Sequence, residues 1–372
     1  MRKIRSARRH ATIDYALFGA AVSLLVFGVV MVYSASVIYA EKNIGLPYYF
    51  FQRQLIWAVL SLFAMGAMSR LDFNRLREWV MPIFTVTCLT LVAALFFPTV
   101  AGARRWIRLG SLSLQPAEFA KLASILFLAS YLDKKHSKLG SFVPGVAVPL
   151  GVVSILLILI GLEPDLGTPS LIFCVSVLML FVAGTRWQSL LGTLALAAPI
   201  VAVELWRKPY RRARLLSFLH PFENIKGAGY QLSQSILAVG SGGWTGKGFG
   251  ASKLKLLYLP TPHTDFIFPV VCEELGLIGA LAILTLYATI LIRGVRIARA
   301  APNLFATLLA SGICFSIVLQ AFFNIAMAIG LLPTKGIPLP FFSYGGSSLL
   351  STMLGVGVLL NISRQTRAEA LK

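Results

Sequence analysis

Apolar runs about 20 residues long recur from one end of this chain to the other, separated by short basic links. A run of that length spans the hydrocarbon of a bilayer as a helix, and a helix satisfies every backbone polar group internally where no water is present. This feature confines the chain to an all-α, polytopic membrane fold. Ten spans are predicted, roughly at residues 14–35, 52–69, 79–97, 116–132, 145–162, 166–184, 188–206, 266–292, 304–329 and 348–362. The apolar part of the first run, Tyr15 to Tyr33, exceeds the roughly 7–15 residues of a cleavable leader, so it is read as a span that stays.

The links alternate in charge. Arg70, Arg75 and Arg77, then Lys134, Lys135 and Lys138, then Arg186, then Arg293, Arg296 and Arg299, then Arg364, Arg367 and Lys372 share a side with the basic N-terminus. The positive-inside rule makes that side cytoplasmic and puts both termini there. The chain reads as one transmembrane domain over 1–372, with cytoplasmic tails at 1–13 and 363–372 and a large external loop at 207–264. Two external links are nonetheless basic: one holds Arg104, Arg105 and Arg108, the other is the large loop with Arg211, Arg212, Arg214, Lys247 and Lys255. A basic external loop calls for an anionic partner, whether lipid headgroups, a phosphorylated substrate or an acidic protein. The net charge of +20 lies in such links. It forms no basic face of the kind a nucleic-acid module presents, so no nucleic acid is expected. The four cysteines and four histidines show no ligand spacing, and no metal site is predicted.

Acidic residues number only fourteen, so those near apolar runs are informative. A carboxylate at bilayer depth costs several kcal/mol unless it is paired or wet, and reads as functional by default. Asp265 sits where the basic loop becomes the eighth span; Glu273 and Glu274 lie about two turns deeper, after Pro269, which can kink a helix. Glu273 or Glu274 is expected to pair with a distant cation such as Lys121, as a structural link between helices. Glu118 and Lys121 stand one turn apart on the fourth span and can neutralise each other, or Lys121 can line a cavity. Asp165, in the turn between spans five and six, is expected to cap the sixth.

The glycine run Gly240–Gly250 is not a nucleotide loop: no strand precedes it, and Gly-Lys is not followed by Ser or Thr. Its glycines suit tight turns and close backbone approach. Leu332 to Ser348, rich in Pro and Gly, reads as a re-entrant external loop lining a cavity.

Gly229-Tyr-Gln-Leu-Ser-Gln-Ser, Gly240-Ser-Gly-Gly, the stretch from Leu259-Pro through His263-Thr-Asp-Phe-Ile-Phe, Glu273-Glu-Leu-Gly and Phe342-Ser-Tyr-Gly-Gly-Ser-Ser closely resemble the SEDS proteins of bacterial cell-wall synthesis. Gln115-Pro-Ala-Glu-Phe-Ala-Lys and Pro164-Asp-Leu-Gly-Thr match further SEDS segments, so the resemblance spans nearly the whole chain. Leu332-Pro-Thr-Lys-Gly is closer to the division branch, FtsW, than to the elongation branch, RodA. The chain departs from the family pattern at Pro260-Thr-Pro-His263, at Cys272 and at Ala117, none of which removes the acid at 265.

The resemblance implies a peptidoglycan glycosyltransferase that polymerises lipid II, the undecaprenyl-pyrophosphate-linked disaccharide peptide, on the outer face of the cytoplasmic (inner) membrane. It also implies partnership with a class B penicillin-binding transpeptidase and other division proteins at the septum. It makes Asp265 the catalytic residue. Candidate substrate contacts are Lys121, Arg105, Arg211, Arg214, Lys255, His263 and Thr264; Glu118, Asp165, Glu273, Glu274 and Ser343 are structural or cavity-lining. No cofactor is required by any motif, although a divalent cation such as Mg2+ or Mn2+ could share the stabilisation of a diphosphate. A lipid II flippase or polyprenyl-lipid transporter is the alternative, because intramembrane charges also form headgroup paths.

Overall fold

The computed structural model describes residues 13–99, 102–110, 112–207, 209–223, 229–253, 255 and 262–370. The first half holds α1 (Tyr15–Ile44), α2 (Tyr49–Met68), the single turn α3 (Phe73–Leu76), α4 (Val80–Ala94) and a hairpin of β1 (Ile107–Leu109) and β2 (Leu112–Leu114). Then come α5 (Pro116–Lys134), α6 (Val148–Leu162), α7 (Gly167–Val182) and α8 (Trp187–Arg207). The second half holds α9 (Pro209–Leu219), α10 (Tyr230–Ser241), α11 (Ile267–Arg299), α12 (Leu304–Ala328) and α13 (Gly346–Ala370).

Seven described helices are long and apolar enough to cross a membrane, and two shorter apolar ones, Val80–Ala94 and Gly167–Val182, lie among them. Helix α5 is long enough but carries the Glu118–Lys121 pair. Local signals place the ends. Asp14 accepts from the Leu17 amide at 3.0 Å to cap α1, and Asn303 accepts from Ala306 at 2.9 Å to cap α12.

Burial ranks the helices. The apolar windows of α12 and α13 are 72% and 83% buried, that of α8 only 6%, so α12 and α13 form the centre and α8 faces outward. Asp14 pairs with Arg293 and its amide meets Ser363, Asn361 bonds the Ser69 and Leu71 carbonyls, and Arg77 pairs with Asp133. These contacts gather the basic links at one end of the bundle. The opposite end gathers the β-hairpin, the α6–α7 turn, α9, the entry to α11 and the α12–α13 segment.

Helix α11 is interrupted, though not at Pro269. Pro269 lies in its first turn, where the lost N–H has no intrahelical partner anyway. The interruption falls at Gly276, whose φ of 65° and ψ of −162° leave the helical region.

Candidate active site

Asp265 lies two residues ahead of α11, at the end of the bundle that carries the loops. Its segment is fastened through successive backbone carbonyls. The His263 carbonyl accepts from the Tyr344 amide at 2.9 Å, that of Thr264 from the Ser343 hydroxyl at 2.7 Å, and that of Asp265 from Asn324 Nδ2 at 2.8 Å. Asn324 also donates to the Ile337 carbonyl at 2.8 Å. Ser343 accepts in turn from the Leu339 amide at 2.7 Å. One α12 amide and the 337–344 segment thus hold the aspartate.

The carboxyl points at Gly336: a Cβ there would lie 3.3 Å from Asp265 Oδ2. Burial, then the charge of Asp165, push the Asp265 carboxyl up; Arg214 and Arg105 pull it back, and it settles at about 6. Each cation is itself tied down. Arg105 donates from Nε to the Glu163 carbonyl at 3.0 Å and from Nη2 to that of Pro164 at 2.7 Å. Arg214 on α9 reaches the Thr334 carbonyl at 3.4 Å. Lys335, next to Gly336, has its ammonium lowered by burial and raised by Cys174 and Asp165. Three cations and two aspartates therefore share one electrostatic neighbourhood.

Asp165 caps α7 as its position predicts: Oδ1 accepts from the Gly167 amide at 2.9 Å and Oδ2 from the Thr168 hydroxyl at 2.9 Å. His263 is buried in an aromatic box, with ring centroids at 4.2 Å to Phe50, 5.3 Å to Tyr39 and 5.6 Å to Tyr344. Burial lowers its imidazole to about 4, so it is neutral at physiological pH. The ring anchors the segment two residues before Asp265. Arg211 falls on α9, and its side chain lies outside the described residues, as do Leu259, Pro260 and Thr261.

Other expected cations are spent inside the protein. Lys121 donates to Glu118 at 2.7 Å and to Gln320 at 2.6 Å, all three buried. The predicted pairing of Lys121 with Glu273 or Glu274 is therefore corrected. Glu273 takes Lys247 at 2.7 Å, and Glu274 takes Lys255 at 2.9 Å. Lys255, buried beside Glu274 and Ser34, is withdrawn from the cations facing the Asp265 neighbourhood.

Three residues at the site escaped sequence reasoning. Lys335 stands in Leu332-Pro-Thr-Lys-Gly, and its basic side chain between proline- and glycine-containing flanks was the available signal. Glu163 is fully buried with neither carboxyl oxygen hydrogen-bonded among the described residues. Burial and Asp165 raise it to about 8 against the pull of Arg105, so it holds its proton at neutral pH. Asn324 carried no signal beyond being a polar residue in an apolar run. No group of three or more His, Cys, Asp or Glu side chains among the described residues could hold a metal ion.

An apolar groove of about 600 Å³ runs between α4, α5 and α13, from Leu76 and Trp79 at one end to Leu114 and Pro116 at the other.

Fold and site together define a multi-pass helical membrane protein with an acid–cation centre at one end of its bundle. The profile of the cell cycle protein family FtsW/RodA/SpoVE matches residues 15–368, and the chain belongs to that family. It is 44% identical over 358 residues to the "Probable peptidoglycan glycosyltransferase FtsW" of Geobacter metallireducens, covering 95% of each chain. To the stage V sporulation protein E of Bacillus subtilis it is 42% identical over 350 residues, 92% of this chain and 95% of that one. Among solved structures it resembles a chain of a peptidoglycan synthase complex at TM-score 0.79 and 30% identity, covering 95% of this chain and 98% of that one. It also resembles the rod shape determining protein RodA of Thermus thermophilus at TM-score 0.69 and 29% identity, covering 95% and 97%.

Proposed function

We propose that this protein is a peptidoglycan glycosyltransferase that polymerises lipid II on the outer face of the bacterial inner membrane, at the division septum. The observation that carries the reading is Asp265, fixed by its own carbonyl and set in the field of Arg105 and Arg214 with Lys335 alongside. The names of its relatives point the same way.

Lipid II brings its own leaving group, a diphosphate on the anomeric carbon. The Asp265 carboxylate takes the proton from the 4-hydroxyl of the acceptor sugar, and that oxygen attacks the donor's anomeric carbon. The bond to the diphosphate oxygen breaks as the new glycosidic bond forms, with inversion. The polyprenyl diphosphate departs as an anion and the proton stays on Asp265 until released to water. Glycoside hydrolysis uses a second carboxyl to protonate a poor leaving oxygen; a diphosphate needs none. Its charge is met instead by fixed cations, Arg105, Arg214 and Lys335, which stabilise the transition state in a site of low dielectric. A carboxyl near 6 is mostly ionised at neutral pH while remaining a better base than an ordinary aspartate. The apolar groove suits the polyprenyl chain, which lies in the bilayer while the sugars reach the external end.

The same reading takes ten spans with both termini cytoplasmic, a single transmembrane domain with its loop at 207–264 outside, and a class B penicillin-binding transpeptidase as partner. Purified protein incubated with lipid II, with and without that transpeptidase, is expected to yield glycan polymer. Movement of labelled lipid II across vesicles with no polymer would overturn the reading in favour of a flippase.

A further inference from the structure

At the end of the bundle that holds the basic links, far from Asp265, a cavity of about 480 Å³ opens between the start of α4 and the end of α5. Its volume is in the range of sites for small ligands. Arg77, Glu78 and Met81 line it from the α4 side, and Ser130, Tyr131 and Lys134 from α5. The cavity lies at the depth of lipid headgroups. Trp79, 61% exposed, flanks it as tryptophan does at a membrane interface, and Met81, equally exposed, presents apolar surface at its mouth.

The polar groups around this space divide into those already engaged and those left over. Arg77 pairs with Asp133 and lies over the Phe305 ring at 5.5 Å, which fixes its guanidinium and leaves N–H groups unspent. The Tyr131 hydroxyl donates to the Pro144 carbonyl at 3.1 Å. Ser130 is only 4% exposed, yet its hydroxyl has no hydrogen-bond partner among the described residues. Lys134 and Glu78, on opposite sides, pair neither with each other nor with any other described residue. One free charge of each sign and one orphan hydroxyl therefore face a common cavity.

A purely anionic ligand would satisfy Lys134 and leave Glu78 facing a like charge. A ligand that satisfies both carries a phosphate and an amine a few bonds apart. We propose that this cavity holds the headgroup of an aminophospholipid from the leaflet on that side. Its phosphate meets Lys134, the Ser130 hydroxyl and the unspent N–H groups of Arg77, and its primary ammonium meets Glu78. The acyl chains leave past Met81 into the bilayer. Basic pockets between membrane helices bind phosphorylated headgroups in this way; Glu78 is the feature that selects one with an amine. The site is independent of the reaction assigned to Asp265.

Native mass spectrometry of the full chain tests it, after equilibration with equal amounts of phosphatidylethanolamine, phosphatidylglycerol and phosphatidylcholine. Wild type is expected to retain phosphatidylethanolamine about fivefold over either of the others, the effect of one half-exposed charge pair. Glu78→Gln should abolish the preference over phosphatidylglycerol. Lys134→Gln should lower retention of both lipids about fivefold. Both side chains are exposed, so both variants should fold. Ser130→Leu, which fills the floor with every charge in place, should also lower retention and ties the bound lipid to this cavity. Equal retention of the three lipids by wild type, a preference for phosphatidylglycerol, or variants that keep the wild-type ratios overturn the proposal. Millimolar phosphoethanolamine should leave the bound lipid in place; its displacement would assign the site to a soluble ligand and overturn the lipid.

Discussion

Asn324, buried near the C-terminal end of α12, gives one amide hydrogen to the Asp265 carbonyl and the other to the Ile337 carbonyl, each at 2.8 Å. One side chain thereby sets the distance between the aspartate and the segment that carries Lys335 and Gly336. A carbonyl left unpaired in such a place costs about 1–3 kcal/mol. Asn324→Leu is therefore expected to lower both the unfolding midpoint and kcat, the latter about tenfold or more at that cost. Assays of purified variant on lipid II check it; wild-type kcat would show that Asp265 needs no such tether.

The carboxyl of Asp265 titrates at about 6, and the reaction needs it unprotonated. Below that pH, kcat/KM should fall about tenfold per unit, with a plateau above. Arg214 pulls the carboxyl down, so Arg214→Gln should move the midpoint to higher pH. A midpoint that stays or moves lower would remove Arg214 from the site's field.

Removal of Arg105 or Lys335 should mainly slow the chemical step. Loss of one fixed donor to a developing anion costs about a hundredfold to a thousandfold in kcat. Arg105→Gln also frees the Glu163 and Pro164 carbonyls, so it should lower the unfolding midpoint as well. Lys335→Gln should spare stability. Equal and small effects on both would favour a role in lipid contact over catalysis.

Glu163 makes a prediction about stability. Its folded pKa of about 8 lies above the value of 4.5 for a free side chain, so folding takes up a proton between those pH values. Stability contributed by the protonated form is complete below about 4.5 and is lost as pH rises through about 8. Thermal unfolding in detergent should show a midpoint that declines over this window, and a shallower decline in Glu163→Gln. Parallel declines would place the titration elsewhere.

The multi-pass helical fold was legible because bilayer thickness imposes a run length on the sequence, whatever the packing. The cap at Asp165 and the Glu118–Lys121 pair were legible because each is a contact within one turn. The partners of Glu273 and Glu274 were not. They depend on Gly276 breaking α11 and on a loop some thirty residues earlier fitting the break, about which local spacing says nothing. Glycine in mid-helix and a glycine-rich loop were both visible, but their meeting was not. Asn324, Glu163 and Lys335 acquire their roles only through the packing of the α6–α7 turn, α12 and the 329–345 segment against Asp265.

The most direct test of the account is lipid II polymerisation by purified Asp265→Asn, an exchange that keeps size and removes the base. The account predicts folded protein, with wild-type thermal unfolding, that forms no glycan polymer at any pH where the wild type is active. Polymer at near wild-type rate would contradict it.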